Sequence, residues 1–434
     1  MRALVGLLSR FLFGGLLAAL VLLAVATVET APRVPMPTSP EARDAQAVNL
    51  LLREVQSIRA APGGRGMLVA EPEDIDGMFR LLHRAHPEIA GRARIEDDRL
   101  VIETALALGA GGRFGWINLT AVVPPFADGL FFETLRLGRI ALPPAASAAG
   151  LRRLLNGRFG AGSAPRLLAA APEFVIAGDV LRLQVDLGDL PRGNLQRLTV
   201  GDAYGRSMPS HAEVAAFVTA FQQAAAEGHL PANGSFVPWL HLLIDEAATT
   251  ARDDPERALI AGLMGLNYLC GSVHFVAMFT PRRAAGEAPL PPPGEACAGP
   301  TLHDRIDLRR HFLTAATLKA LSDRGPAIVA GEAKELHDSI RGAFDFTDIA
   351  ANNSGIRFAA LLLDSDPEGW PALRRRIRED ADILIDLDGI PGEMPGEAFR
   401  ERFGTIDSPA YTAMLQLIEA RIDALPIHAA EGGG

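Results

Sequence analysis

Positive charge, lysine and cysteine are all scarce in this chain, and each shortage closes off a class of function. Acidic residues outnumber Lys and Arg by 52 to 42, for a formal net charge of −10 and a pI near 5.5. Nucleic-acid binding needs a clustered basic surface to neutralise phosphates, so this balance argues against such a partner. Lysine occurs only at Lys319 and Lys334; arginine carries the rest, a bias of GC-rich bacterial genomes rather than of function. Cysteine occurs only at Cys270 and Cys297, and nothing has C-x-x-C or H-x-x-x-H spacing, which speaks against zinc. There is no P-loop, no G-x-S-x-G elbow and no G-x-G-x-x-G after a strand pattern, so those chemistries have no local signature. After residue 28 no run is long and apolar enough to span a bilayer. Residues 258–279 come nearest, but Asn267 and His274 lie within them, and they read as a buried core helix.

What is present begins at the N-terminus. Arg2 and Arg10 precede an uncharged apolar run over residues 11–28, followed by Glu29. Such a run at 1.5 Å per residue just crosses a hydrocarbon core of about 30 Å. The charge placement puts the start of the chain in the cytoplasm and the body outside. Ala24, Val25 and Ala26 also have the small-x-small form of a signal-peptidase site, so the segment is either a retained inner-membrane anchor or a cleaved signal. Both readings export the body to the periplasm. An oxidising compartment permits Cys270 and Cys297 to pair across a Pro-rich excursion; the alternative is two free thiols, one buried.

At 434 residues, 48% hydrophobic and 22% charged, the chain is folded and too long for one ordinary core. Residues 1–34 form the anchor or signal segment, with 32–40 a Pro-rich linker. Residues 35–200 open with two helical patterns, the first after a Ser39-Pro40 start, and then change to period two in four stretches around residues 92–187. The expected fold class is α+β: a membrane-proximal antiparallel sheet with helices, followed by a larger all-α domain made of a helical region with a Pro-rich loop (205–295) and a region from 296 to 434. The strand, Pro-Pro turn and helix over residues 135–155 resemble exported lipid-binding-like lipoprotein domains. That resemblance implies a curved sheet and an apolar trough for an acyl chain, with Trp116 either lining it or lying in the core.

The polar residues concentrate in one stretch, 311–359. His311, Lys334, Glu335, Asp338, Asp348 and Asn352 stand among small and apolar neighbours. Asp348, Asn352 and Gly355 are spaced by four and three, so they share a helical face, and Gly355 permits close approach of another helix. Thr347 has the form of an N-cap. A histidine with carboxylates is material for general acid–base work or a divalent metal site; it is equally material for an internal network locking three helices. His311-Phe312, Gly331, Lys334-Glu335, Asp338, Phe346, Asp348, Asn352 and Gly355 together resemble the characteristic string of the YfiM-like family of bacterial exported proteins, whose function is unknown, with a weaker likeness to VanZ-like proteins. This chain has Asn352 where that string has a second aspartate.

These features make the chain an envelope protein, most simply a non-enzymatic module for lipid, peptidoglycan or a partner protein, with no cofactor expected. The alternative is an envelope hydrolase or transferase with Glu335 as acid or base, His311 as its partner, and Asp338 or Asp348 orienting them or holding a metal.

Overall fold

The computed structural model describes residues 26–188, 208–250, 254–280, 286–322, 334 and 344–428. The chain divides into two compact units, Met1–Leu190 and Pro191–Gly434. The fold is α+β with a large helical part.

The first unit is built on two antiparallel sheets. The larger runs β3 (Ile89–Glu96), β4 (Arg99–Ala107), β5 (Trp116–Val123), β6 (Thr134–Leu137) and β7 (Ile140–Leu142), each paired with the next, as the period-two patterns require. Register is pinned by pairs such as Arg92 opposite Glu103 and Leu106 opposite Ile117. The smaller sheet orders β2 (Arg65–Ala70), β9 (Val180–Asp186) and β8 (Phe174–Ala177). Strand β2 was not expected from its sequence, because "RGMLVA" is short and begins with Arg-Gly between two helices. Helix α1 (Ala42–Ala60) and α2 (Pro72–Ala85) precede and follow it. The expected Ser39-Pro40 start is displaced: Glu41 occupies the N-cap, and its amide donates to the Asp44 carboxylate at 2.7 Å. Asp44 is buried and also accepts from the Arg80 guanidinium of α2 at 2.8 Å, so one carboxylate both ends α1 and ties it to α2.

The two sheets of this unit share an apolar core. Ala93, Leu100 and Val123 from the larger sheet meet Phe174 and Leu181 from the smaller one, with Phe126 between them, in a single cluster. Trp116 is buried with Val34, Ala90, Ala105 and Ala107, a core position. Of the candidate anchor, only Ala26, Thr27 and Val28 are among the described residues. Val28 and Glu29 form a short strand, β1, paired with Ile117 and Trp116. Arg139 donates its amide to the Ala26 carbonyl at 2.8 Å, and Asn118 Oδ1 accepts from the Arg33 amide at 2.9 Å. The chain therefore joins the sheet directly as the apolar run ends. Among the described residues no helix is long and apolar enough to cross a membrane.

Among its described residues the second unit is helical apart from a two-stranded parallel ladder of β10 (Asn233–Ser235) with β11 (Gly299–Thr301) and isolated bridges. Helix α7 (Pro255–Cys270) is apolar on all sides and almost wholly buried, which marks it as the centre. It packs against α5 (His211–Ala226), α6 (Val237–Thr250) and α9 (Ile306–Leu321). The single helix expected over 258–279 is broken: α7 stops at Cys270, and α8 (Val273–Phe279) restarts with the Ser272 side chain accepting from the Phe275 amide at 3.2 Å. Helix α9 in turn packs along α10 (Phe346–Asp364). A cluster of Phe344, Phe346, Phe399, Phe403 and Tyr411 closes the far side of α10.

Candidate functional site

The site is built where α9 and α10 run closest. The closeness follows from Gly355, where a Cβ would meet the Phe312 backbone, its Cα 3.0 Å away. That proximity brings residues far apart in sequence into hydrogen-bonding range. Helix α9 begins at Ile306, so His311 lies one and a half turns inside it rather than at its start. Asp348 and Asn352, one turn apart on α10, hold the imidazole at both nitrogens. His311 Nε2 is 2.8 Å from Asp348 Oδ2, and His311 Nδ1 is 3.2 Å from Asn352 Oδ1. Helix α10 is capped by Asp345, not Thr347: the Asp345 carboxylate accepts from the Thr347 amide at 2.7 Å and its hydroxyl at 2.6 Å. Aspartate there serves the exposed N–H groups and the helix dipole together.

Cations surround Asp348. Lys334 Nζ lies 3.9 Å from Asp348 Oδ2, and the Arg305 guanidinium lies 3.8 Å from Oδ1 and 3.6 Å from Asp345. Arg305 is held protonated above its ordinary range, first by the hydrogen bond to Asp307 and then by the fields of Asp345 and Asp348. Lys334 is about half exposed, so its pair with Asp348 is screened and contributes little to stability. The four candidates His311, Lys334, Asp348 and Asn352 thus converge. Glu335 and Asp338 lie outside the described residues. Among those described, no group of three or more His, Cys, Asp or Glu side chains is placed to hold a metal ion.

Beside this group opens a cavity of about 490 Å³. One wall carries Arg310, His311, Lys334 and Asn352; another carries Phe275, Ala315 and Leu318. The third is the turn between α7 and α8, where Gly271 and Ser272 face the opening. That turn is fastened from behind. Asn267 accepts from the Gly271 amide through its carbonyl at 2.9 Å and from the Ser272 amide through Oδ1 at 3.0 Å. Cys270 is disulfide-bonded to Cys297, with Cα atoms 5.1 Å apart. Reading the sequence found the polar wall because charged groups among small residues stand out. It missed Phe275, Arg310, Thr314 and Leu318, which look like ordinary helix residues until three helices are placed together. The sharpest available signal was Gly271-Ser272, a helix stop followed by an N-cap.

The volume falls within the range of about 300–1,000 Å³ common to small-molecule sites, and the mixture of an apolar wall with a few convergent polar groups is their usual composition. No family model, curated protein or solved structure matches the chain.

Proposed function

We propose that this chain is an exported module of the bacterial cell envelope, tethered by its N-terminal apolar segment, that binds a lipid-like molecule without turning it over. The observation that carries the reading is the cavity in the helical unit, whose lining combines Phe275, Ala315 and Leu318 with the polar side chains of Arg310, His311, Lys334 and Asn352. The lipid site is proposed here rather than in the first unit, whose cavity beside Leu50, Leu51, Val69 and Met78 is smaller, about 230 Å³. The disulfide and the charge pattern before residue 28 support export. Three residues of the cavity's polar wall, His311, Lys334 and Asn352, belong to the string that resembles the exported YfiM-like family.

Native mass spectrometry of the full chain, released from detergent, tests this. A retained mass of lipid size is expected, surviving Glu335→Gln and lost in Leu318→Trp, which fills the cavity. A bare protein, or lipid indifferent to Leu318→Trp, would overturn the reading.

One geometry favours a second reading, an envelope hydrolase or transferase: His311 and Asp348 form a 2.8 Å pair at the cavity edge, the arrangement by which a carboxylate orients an imidazole base. Under it, purified chain would convert lipid or glycan from an envelope extract. Asp348→Asn would cut the rate by about 10²-fold or more while leaving ligand occupancy intact. Equal occupancy with no conversion by the unaltered chain decides for binding alone.

A further inference from the structure

Resting on the binding reading above, we infer that the cavity selects a single-chain amphiphile with an anionic head, a carboxylate or phosphate, and rejects neutral and cationic heads. The ionisable side chains on its wall are Arg310, His311 and Lys334, and no carboxylate lines it among the described residues. Asp348, which is not part of the described lining, is engaged by His311 at 2.8 Å. The Ser272 hydroxyl adds a further donor to the wall.

An independent observation concerns Asn352. It is 6% exposed and lines the cavity, its Oδ1 faces His311 Nδ1, and its Nδ2 is buried with no hydrogen-bond partner. A buried amide N–H₂ left unpaired costs free energy of about 1–3 kcal/mol, and an acceptor placed in the cavity would recover it. A carboxylate or phosphate oxygen supplies that acceptor, with the charges of Arg310 and Lys334 nearby to offset its desolvation. A hydroxyl head satisfies the amide but brings no charge to Arg310. A quaternary ammonium head does neither. Phe275, Ala315 and Leu318 give an alkyl tail its apolar lining. The asparagine at this position, where the resembled string has an aspartate, keeps a carboxylate from that point of the wall.

Isothermal titration of the full chain with dodecanoate, dodecyl phosphate, dodecanol, dodecyltrimethylammonium and inorganic phosphate tests the inference. Expected is binding of the two dodecyl anions at least 10-fold tighter than of dodecanol, with no measurable binding of the ammonium. Asn352→Asp, nearly isosteric, is expected to weaken both anions by 10-fold or more and to leave dodecanol unchanged. Arg310→Gln, at an exposed position that does not threaten the fold, should weaken them several-fold. Phosphate binding as tightly as dodecyl phosphate would show a site for the free anion and overturn the amphiphile. Equal binding of dodecanol and dodecanoate, unaltered in both variants, overturns the anionic head while leaving the lipid reading intact. No binding by any dodecyl compound overturns both.

Discussion

Gly355→Val is expected to destabilise the helical unit by about 3 kcal/mol or more, the range of severe overpacking in a core. A side chain there would point into the next helix: the nearest atoms to an added Cβ are the backbone of Phe312, with the carbonyl carbon 2.9 Å away. Backbone in the middle of α9 cannot turn aside as a side-chain tip can, so α9 and α10 would have to separate. Separation would strip contacts from Phe312 and Phe358, whose rings lie 5.4 Å apart, and pull Asp348 and Asn352 away from His311. Gly355→Ala should also destabilise, although alanine is the better helix former by about 1 kcal/mol, because the clash exceeds that gain. Gly369 is the control: nothing lies within 4 Å of its added Cβ and its φ is −82°, so Gly369→Ala should be neutral or slightly stabilising. Thermal unfolding followed by circular dichroism reads all three. Wild-type stability in Gly355→Ala would show that the helices are not packed through that residue.

Loss of the disulfide is expected to be the other large effect. Cys270 and Cys297 close a loop of 27 residues, for which the chain-entropy account gives about 3.5 kcal/mol. The enthalpic consequence is local. Arg309 is 2% exposed and has no carboxylate against it; it donates to the carbonyls of Cys297, at 3.0 Å, and of Pro300. Burial, with Arg310 adjacent, pushes this guanidinium down to about 10, so it is still charged at neutral pH, and those carbonyls are the acceptors that face the charge. Freeing residue 297 loosens its acceptors, and freeing residue 270 loosens the Gly271–Ser272 turn that forms one cavity wall. The double variant Cys270→Ser with Cys297→Ser should therefore melt at a lower temperature and also bind dodecanoate more weakly. A reducing agent should reproduce both changes in the unaltered chain and neither in the double variant. An unchanged melting temperature after full reduction would mean that the 270–297 segment is held without the bond.

The elements with strong periodicity were legible before any coordinates. The alternating stretches of the first unit are strands, and Asp348, Asn352 and Gly355 do lie on one helix, because one-sided burial imposes its period on the sequence. Boundaries were less legible. Asp345 caps α10 instead of Thr347, and Glu41 heads α1 instead of Ser39, because each segment offers competing polar residues within two positions. The break at Gly271 and Ser272 was hidden inside a continuous apolar run, since both flanking helices are buried and neither shows an amphipathic face.

The composition and local pattern of the chain settle its α+β class, its two cysteines as the only available pair, the close approach at Gly355, and the shared face of Asp348 and Asn352. These depend on residues within a few positions of one another, or on there being no other choice. Which residues face one cavity is of another kind. Phe275 and Leu318 come from helices that meet only because α7 ends at a glycine and a disulfide turns the chain. His311 finds Asp348 only because a missing side chain lets α10 lie against α9. Contacts of that sort are decided by how the buried faces of several helices fit together at once, and no single stretch of sequence carries that information.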